Sequence, residues 1–192
     1  MCNLYTQTKS VDEVAQLFRA LQIPLGFPEG APNLEAREIA ITDPAPIVRA
    51  NDSGVEMVVR RWSWPAPAGK PVFNFRSDGR EFSSGRCLIV ADGFFEFTTH
   101  SDPKSKRKHK WLFKLRGADQ FAIAGLWRTD PTVGEAWTML TTEPGEDVKP
   151  YHNRQIVVLP PEDFARWLDP SVPAAELCKP LPAGSLTVEQ IC

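Results

Sequence analysis

RCLIVADGFFEF, residues 86–97, is the stretch whose reading decides the fold. Its β-branched and aromatic residues favour extended backbone, and Asp92-Gly93 in the middle reads as a break after which the strand resumes, a hairpin or bulge signal. Downstream, KWLFKL at Lys110–Leu115 and QFAIAGLWR at Gln120–Arg128 predict two further strands joined by a turn that contains Gly117. Trp137–Thr142 and Gln155–Leu159 continue the strand count, and upstream Val55–Trp64 predicts another. Between Ile23 and Pro46, Pro and Gly separate short apolar pieces, which predicts a long connection carrying one or two short strands.

Helices are few. Val11, Val14, Ala15, Leu17, Phe18 and Leu21 recur at helical spacing, and Ser10 with Glu13 makes a capping box at the start of that helix. PPEDFARWL, residues 160–168, opens on prolines suited to a helix start, and the rest of the chain is Pro-rich coil with one short strand. The expectation is an α+β fold: a single domain over residues 1–192, with a curled, mainly antiparallel, barrel-like sheet flanked by a few helices.

A chain of 192 residues with 42% hydrophobic side chains can bury a core of its own, while 18 prolines favour loops and edges over long helices. The 22 basic and 24 acidic residues nearly cancel, which excludes a nucleic-acid binder working by bulk charge and leaves only local contacts. The one dense basic run is KSKRKHK, residues 104–110, either a track for phosphates or a solvated hairpin tip. Four cysteines, Cys2, Cys87, Cys178 and Cys192, show neither zinc-ligand spacing nor a disulfide framework, so no metal and no cofactor are expected. With no signal-peptide pattern and no long apolar run, the expected setting is cytoplasmic, away from membranes.

Cys2 has a possible fate that no internal cysteine shares. Removal of Met1 would leave a free α-amine beside the thiol, and an α-amine titrates near pH 7.7–8.0, far below a lysine at about 10.4. Such an amine attacks an aldehyde to give a Schiff base, and the adjacent thiol closes onto the imine to give a five-membered thiazolidine. An ordinary buried cysteine is the plainer alternative.

MCNLY at the start, Trp62 in RRWSWP, NFR at 74–76, ADGFFEF at 91–97 and EPGEDVKPYHNRQIVVLPPEDF at 143–164 together resemble, in order, the SRAP family, the SOS response-associated peptidases. The resemblance reaches from residue 1 to the KPLP segment near 182. It implies a curled antiparallel sheet, self-removal of Met1, and covalent trapping of abasic sites in single-stranded DNA as part of the DNA damage response. It also implies the site residues: Cys2 as nucleophile, with Asn74, Glu96 and His152 as its catalytic partners, and Trp62, Arg76 and Arg154 as DNA contacts. Chemically, Glu96 can give and take a proton as the amine attacks, and His152 can shuttle protons near neutrality. Asn74 offers a donor and an acceptor without charge, Arg76 two residues on can clamp a phosphate, and Trp62 can stack on a base beside the gap. A monomer is expected.

The commonest family start is Met-Cys-Gly-Arg, whereas this chain carries Asn3 and Leu4 in an MCNLY-type branch, and SDGREFSSGR at 77–86 also departs. Two other readings stay open at this level: an N-terminal-nucleophile peptidase acting on other peptides, and a reversible single-strand-binding module.

Overall fold

A computed structural model of the chain describes residues 2–100 and 104–191; Met1, whose removal the sequence points to, and Cys192 lie outside the described residues. β1 (Leu4–Gln7) leads into α1 (Val11–Ala20), followed by β2 (Leu25–Gly26), β3 (Arg37–Ala40), β4 (Pro44–Asn51) and β5 (Gly54–Trp62). The short β6 (Trp64–Pro65), β7 (Pro71–Val72) and β8 (Asn74–Arg76) precede the long β9 (Arg86–Ala91), β10 (Gly93–Thr99), β11 (Lys108–Leu115), β12 (Phe121–Asp130) and β13 (Gly134–Thr142). β14 (Gln155–Ile156), β15 (Val158–Leu159), the short helices α2 (Phe164–Leu168) and α3 (Ala174–Leu177), and β16 (Leu186–Gln190) complete the order.

Two large sheets hold most of these strands, and β6 pairs with β7 alone. In the first, β13, β12, β9, β4 and β5 pair in that order, and β5 returns to β13 through Arg61 opposite Ala136 and Trp62 opposite Trp137. This return closes a five-stranded barrel and removes the free edges a sheet would otherwise leave. The second sheet is open and antiparallel, in the order β16, β11, β10, β1, β3.

Asp92-Gly93 makes neither a hairpin nor a simple bulge, because β9 belongs to the barrel and β10 to the open sheet. The chain changes sheet there. A Cβ on Gly93 would stand 2.7 Å from Leu112 Cδ1 and 2.8 Å from Thr6 Oγ1, so the corner is too tight for a side chain. Asp92 fastens it by accepting from the Thr8 hydroxyl at 2.7 Å and from Thr6. The return passage from β11 to β12 also changes sheet, so β9–β10 and β11–β12 are the two arms of one bent ribbon, joined beyond Thr99 and Lys108.

Burial follows from this placement. Along β9, Cys87, Ile89 and Ala91 enter the core cluster of Tyr5, Trp62, Trp137 and Phe94, while Leu88 and Val90 join Val14, Phe18, Phe164 and Trp167 under the helices. Both faces of β9 are therefore buried, which is why RCLIVA is apolar without alternation. The capping box forms as expected, Glu13 N–H bonding to Ser10 Oγ and Ser10 N–H to Glu13 Oε2. β4 is the strand the sequence hides, since Pro44 and Pro46 stand inside it. They are tolerated because its ladder to β9 is confined to Val48 and Arg49. Gln155–Leu159 divides into two pieces at Val157, whose N–H bonds to Leu140 in one neighbour and whose carbonyl accepts from Ala124 in another.

Candidate functional site

Cys2 enters the fold just before β1, which lies between β10 and β3 with Tyr5 opposite Phe94. Continued outward, that antiparallel register sets residue 3 opposite Glu96, so Cys2 stands beside the same part of β10 and its thiol feels the Glu96 charge. Cys2 is only 1% exposed, and its thiol donates to the Leu4 carbonyl at 3.3 Å. Burial, reinforced by the Glu96 carboxylate beside it, pushes the thiol up to about 12, so it is held as a protonated thiol.

Asn74 reaches the same place from the barrel. β8 is carried by β13, with Asn74 opposite Met139, and its Nδ2 donates to the Cys2 carbonyl at 2.9 Å. Its Oδ1 is buried with no donor among the described residues, an acceptor left over beside Cys2.

Glu96 is also 1% exposed, and burial raises its carboxyl from an ordinary 4.5 to about 7. A buried carboxyl near neutrality can donate a proton and take one back at physiological pH. It faces Trp111 across the β10–β11 ladder. Tyr151 packs on that tryptophan at 4.7 Å and on Phe113 at 5.2 Å, so the turn carrying His152 covers the face from which Glu96 projects.

His152 is held by its own turn, its N–H bonding to Val148 and its Nδ1 lying 3.0 Å from both the N–H and the carbonyl of Arg154. A neutral ring accepts from the amide and a protonated ring donates to the carbonyl, so one geometry serves both charge states. Burial lowers its pKa, which favours the neutral ring near pH 7.

Two of the expected DNA contacts are turned inward or already paired. Trp62 is 0% exposed, stacked on Trp137 at 5.3 Å, edge-on to Tyr5, and bonded through Nε1 to the Phe73 carbonyl. Its ring faces lie in the barrel core and are closed to a base. Arg154 is mostly buried and already engaged: its guanidinium makes a fork to the Asp78 carboxylate at 3.0 and 2.6 Å and donates to the Thr141 carbonyl. It fastens the His152 turn to the barrel and holds the Asp78 carboxyl below its usual range. Arg76, by contrast, is exposed at the end of β8 on the Asn74 face.

The run 104–110 falls at the outer end of the ribbon, with Lys104, Lys106, Arg107 and Lys108 exposed and Lys110 paired to Glu38 at 2.5 Å. Trp111 and Tyr151 beside Glu96 went unnoticed in the sequence, where KWLFKL reads as any strand; only the register opposite Glu96 distinguishes that tryptophan. Among the described residues no group of three or more His, Cys, Asp or Glu is arranged to hold a metal ion, and no helix is long and apolar enough to cross a membrane.

Comparison with known proteins identifies relatives and a family for the chain. The chain is 27% identical over 189 residues to the abasic site processing protein YobE of Bacillus subtilis (strain 168), covering 88% of this chain and 83% of that one. It is 38% identical over 92 residues to the abasic site processing protein YoqW of the same organism, covering 45% of this chain and 39% of that one. A crystal structure of a Bacteroides thetaiotaomicron protein shares the fold at a TM-score of 0.75 and 18% identity, covering 100% of this chain and 92% of that one. Residues 1–192 match SRAP, described as SOS response associated peptidase, and the chain therefore belongs to that family.

Proposed function

We propose that this protein processes abasic sites in single-stranded DNA by covalent capture on Cys2, as a monomeric single domain serving the DNA damage response. The observation that carries the reading is the convergence of Asn74 and Glu96, from different sheets, on residue 2. Two of its relatives bear the name abasic site processing protein.

The chemistry begins with hydrolysis of the Met1–Cys2 peptide bond, which frees the α-amine. Neutral amine attacks C1′ of the ring-opened deoxyribose, and the protonated Glu96 carboxyl gives its proton to the carbinolamine oxygen, which leaves as water. The thiol then adds to the imine carbon while its proton passes through Glu96 to the nitrogen, completing a thiazolidine with the net loss of one water. Asn74 fixes the Cys2 carbonyl, and its spare Oδ1 can receive an N–H of the amine. His152 supplies or removes a proton at the sugar oxygen, and Arg76 holds the adjoining phosphate.

The protonated thiol weighs against a peptidase acting on other substrates, since a thiolate nucleophile needs a depressed pKa. In capture the amine attacks first, and the thiol gives up its proton only as it closes onto the adjacent imine, an intramolecular step.

Incubation with an abasic oligonucleotide, followed by denaturing electrophoresis and intact mass, tests the reading. The expected product has lost Met1 and gained the oligonucleotide less one water. An undiminished stable adduct from Cys2→Ala overturns it.

A further inference from the structure

Beyond Glu96, the same face of the β10–β11 ribbon continues outward as a series of rings. Strand pairing sets Glu96 opposite Trp111 and Thr98 opposite His109, and alternate residues of each strand share a face. Tyr151 lies 4.7 Å from Trp111, Trp111 lies 6.3 Å from His109, and His109 stacks on His100 at 4.6 Å with planes 20° apart. The Trp111 indole N–H is bound to the Thr98 hydroxyl at 2.8 Å, and Gln190 Nε2 lies 2.9 Å from His109 Nδ1, so both rings are held in orientation by partners at their edges. These rings are half-buried rather than enclosed.

The far end opens into a groove of about 640 Å³ lined by His100, Arg107, Lys108, His109 and Gln190. Rings and cations thus share one wall. At about 3.3 Å per strand residue, His109, opposite Thr98, lies roughly 7 Å along the ribbon from Glu96, and His100 roughly 13 Å. The chain carries a net charge of −2, so this concentration of cations is local.

We propose that this ring series and groove form a second subsite, one that stacks nucleobases flanking the lesion on the same single strand while Arg107 and Lys108 hold the intervening phosphates. The proposal rests on the reading of single-stranded abasic DNA as substrate and adds to it where the strand runs: outward along β10–β11, toward the hairpin end. Stacking on rings tolerates any base, and backbone contacts carry no sequence information, so the subsite is indifferent to flanking sequence.

The test uses the full-length Cys2→Ala protein, in which binding is reversible, and fluorescence anisotropy with labelled single strands carrying a central tetrahydrofuran abasic analogue. Two further strands also lack the neighbouring bases, on one side or the other. Adding His109→Ala should weaken binding to the fully based strand about tenfold, as expected for loss of a stacked base, and change binding by less than about twofold when bases on the contacted side are absent. His109→Phe should restore binding, which keeps the comparison informative if the alanine variant loosens the hairpin. Arg107→Ala with Lys108→Ala should lower the salt dependence equally on all strands.

An equal loss from His109→Ala on based and base-less strands, or no loss on any, overturns the subsite. Failure of the parent protein to form a covalent adduct, with the coupling between His109 and the flanking bases intact, overturns the proposed chemistry and supports the subsite.

Discussion

β9 and β10 are consecutive on the chain and continuous in composition, yet they lead different lives. All six residues of β9 are buried, whereas β10 grades from four buried residues at Gly93–Glu96 to an exposed Thr99. The inner half is enclosed because the barrel closes around it and helices cover its other face. The outer half lies in an open sheet, where only the end near Asp92 is roofed. Glu96 is the last buried residue before the grade begins, close enough to the core to lose its charge and close enough to the opening to meet a ligand. Where a ribbon passes from closed to open, it can hold a polar group dry without sealing it in.

The two tryptophans offer the sharpest way to break this contrast. Trp62→Ala should destabilise the fold by about 3–5 kcal/mol, because a fully enclosed indole leaves a cavity against Trp137 and Tyr5. Trp111→Ala on the open sheet should lose only about 1–2 kcal/mol, the worth of one ring contact and one hydrogen bond. Denaturant midpoints of the two variants measure both. Equal losses would mean that the open sheet is as much a part of the core as the barrel.

Next in size is the pH dependence that Glu96 imposes. Its folded pKa, about 7, stands above the ordinary 4.5, so between those values the folded protein keeps a proton that the unfolded chain gives up. Stability from this group is therefore complete below pH 4.5, falls as pH rises, and is lost above 7, a total of about 3 kcal/mol for the roughly 2.5-unit difference. Glu96→Gln should flatten that part of the curve of melting temperature against pH. A parallel decline in the variant would assign the effect to other groups.

The smallest effect concerns the tie between the barrel and the His152 turn. Asp78→Ala removes the carboxylate that Arg154 grips at a partly exposed site, so the loss of stability should stay within about 1 kcal/mol. The rate of capture should fall more noticeably than the melting temperature, since the turn carrying His152 loses one of its ties to the barrel. A variant with an unaltered rate at saturating DNA would mean that Tyr151 packing and the Arg154–Thr141 bond hold the turn without the Asp78 pair.

Much of the site was legible because its parts are chemically uncommon. Cys2 stands out by position, and Glu96 is a lone charge among phenylalanines. Asn74, His152 and Arg76 followed from the order of motifs. For Trp62 and Arg154 the sequence left the setting undecided: an indole or guanidinium in a motif looks the same whether it faces solvent or core. Trp62 turned inward because β5 closes the barrel against Trp137, and Arg154 was claimed by Asp78, which lies 76 positions away in the chain.

By itself the sequence determined the strand-rich character, the capped first helix and the candidacy of Cys2, since these depend on local propensity, short-range hydrogen bonding and position in the chain. Only the tertiary structure decided that Asp92-Gly93 is a change of sheet, that β5 and β13 close a barrel, and that Trp111 rather than Trp62 stands opposite Glu96. Those outcomes depend on which strands pair and in what register, and pairing is settled by burial summed over residues far apart in the chain, which no short segment carries.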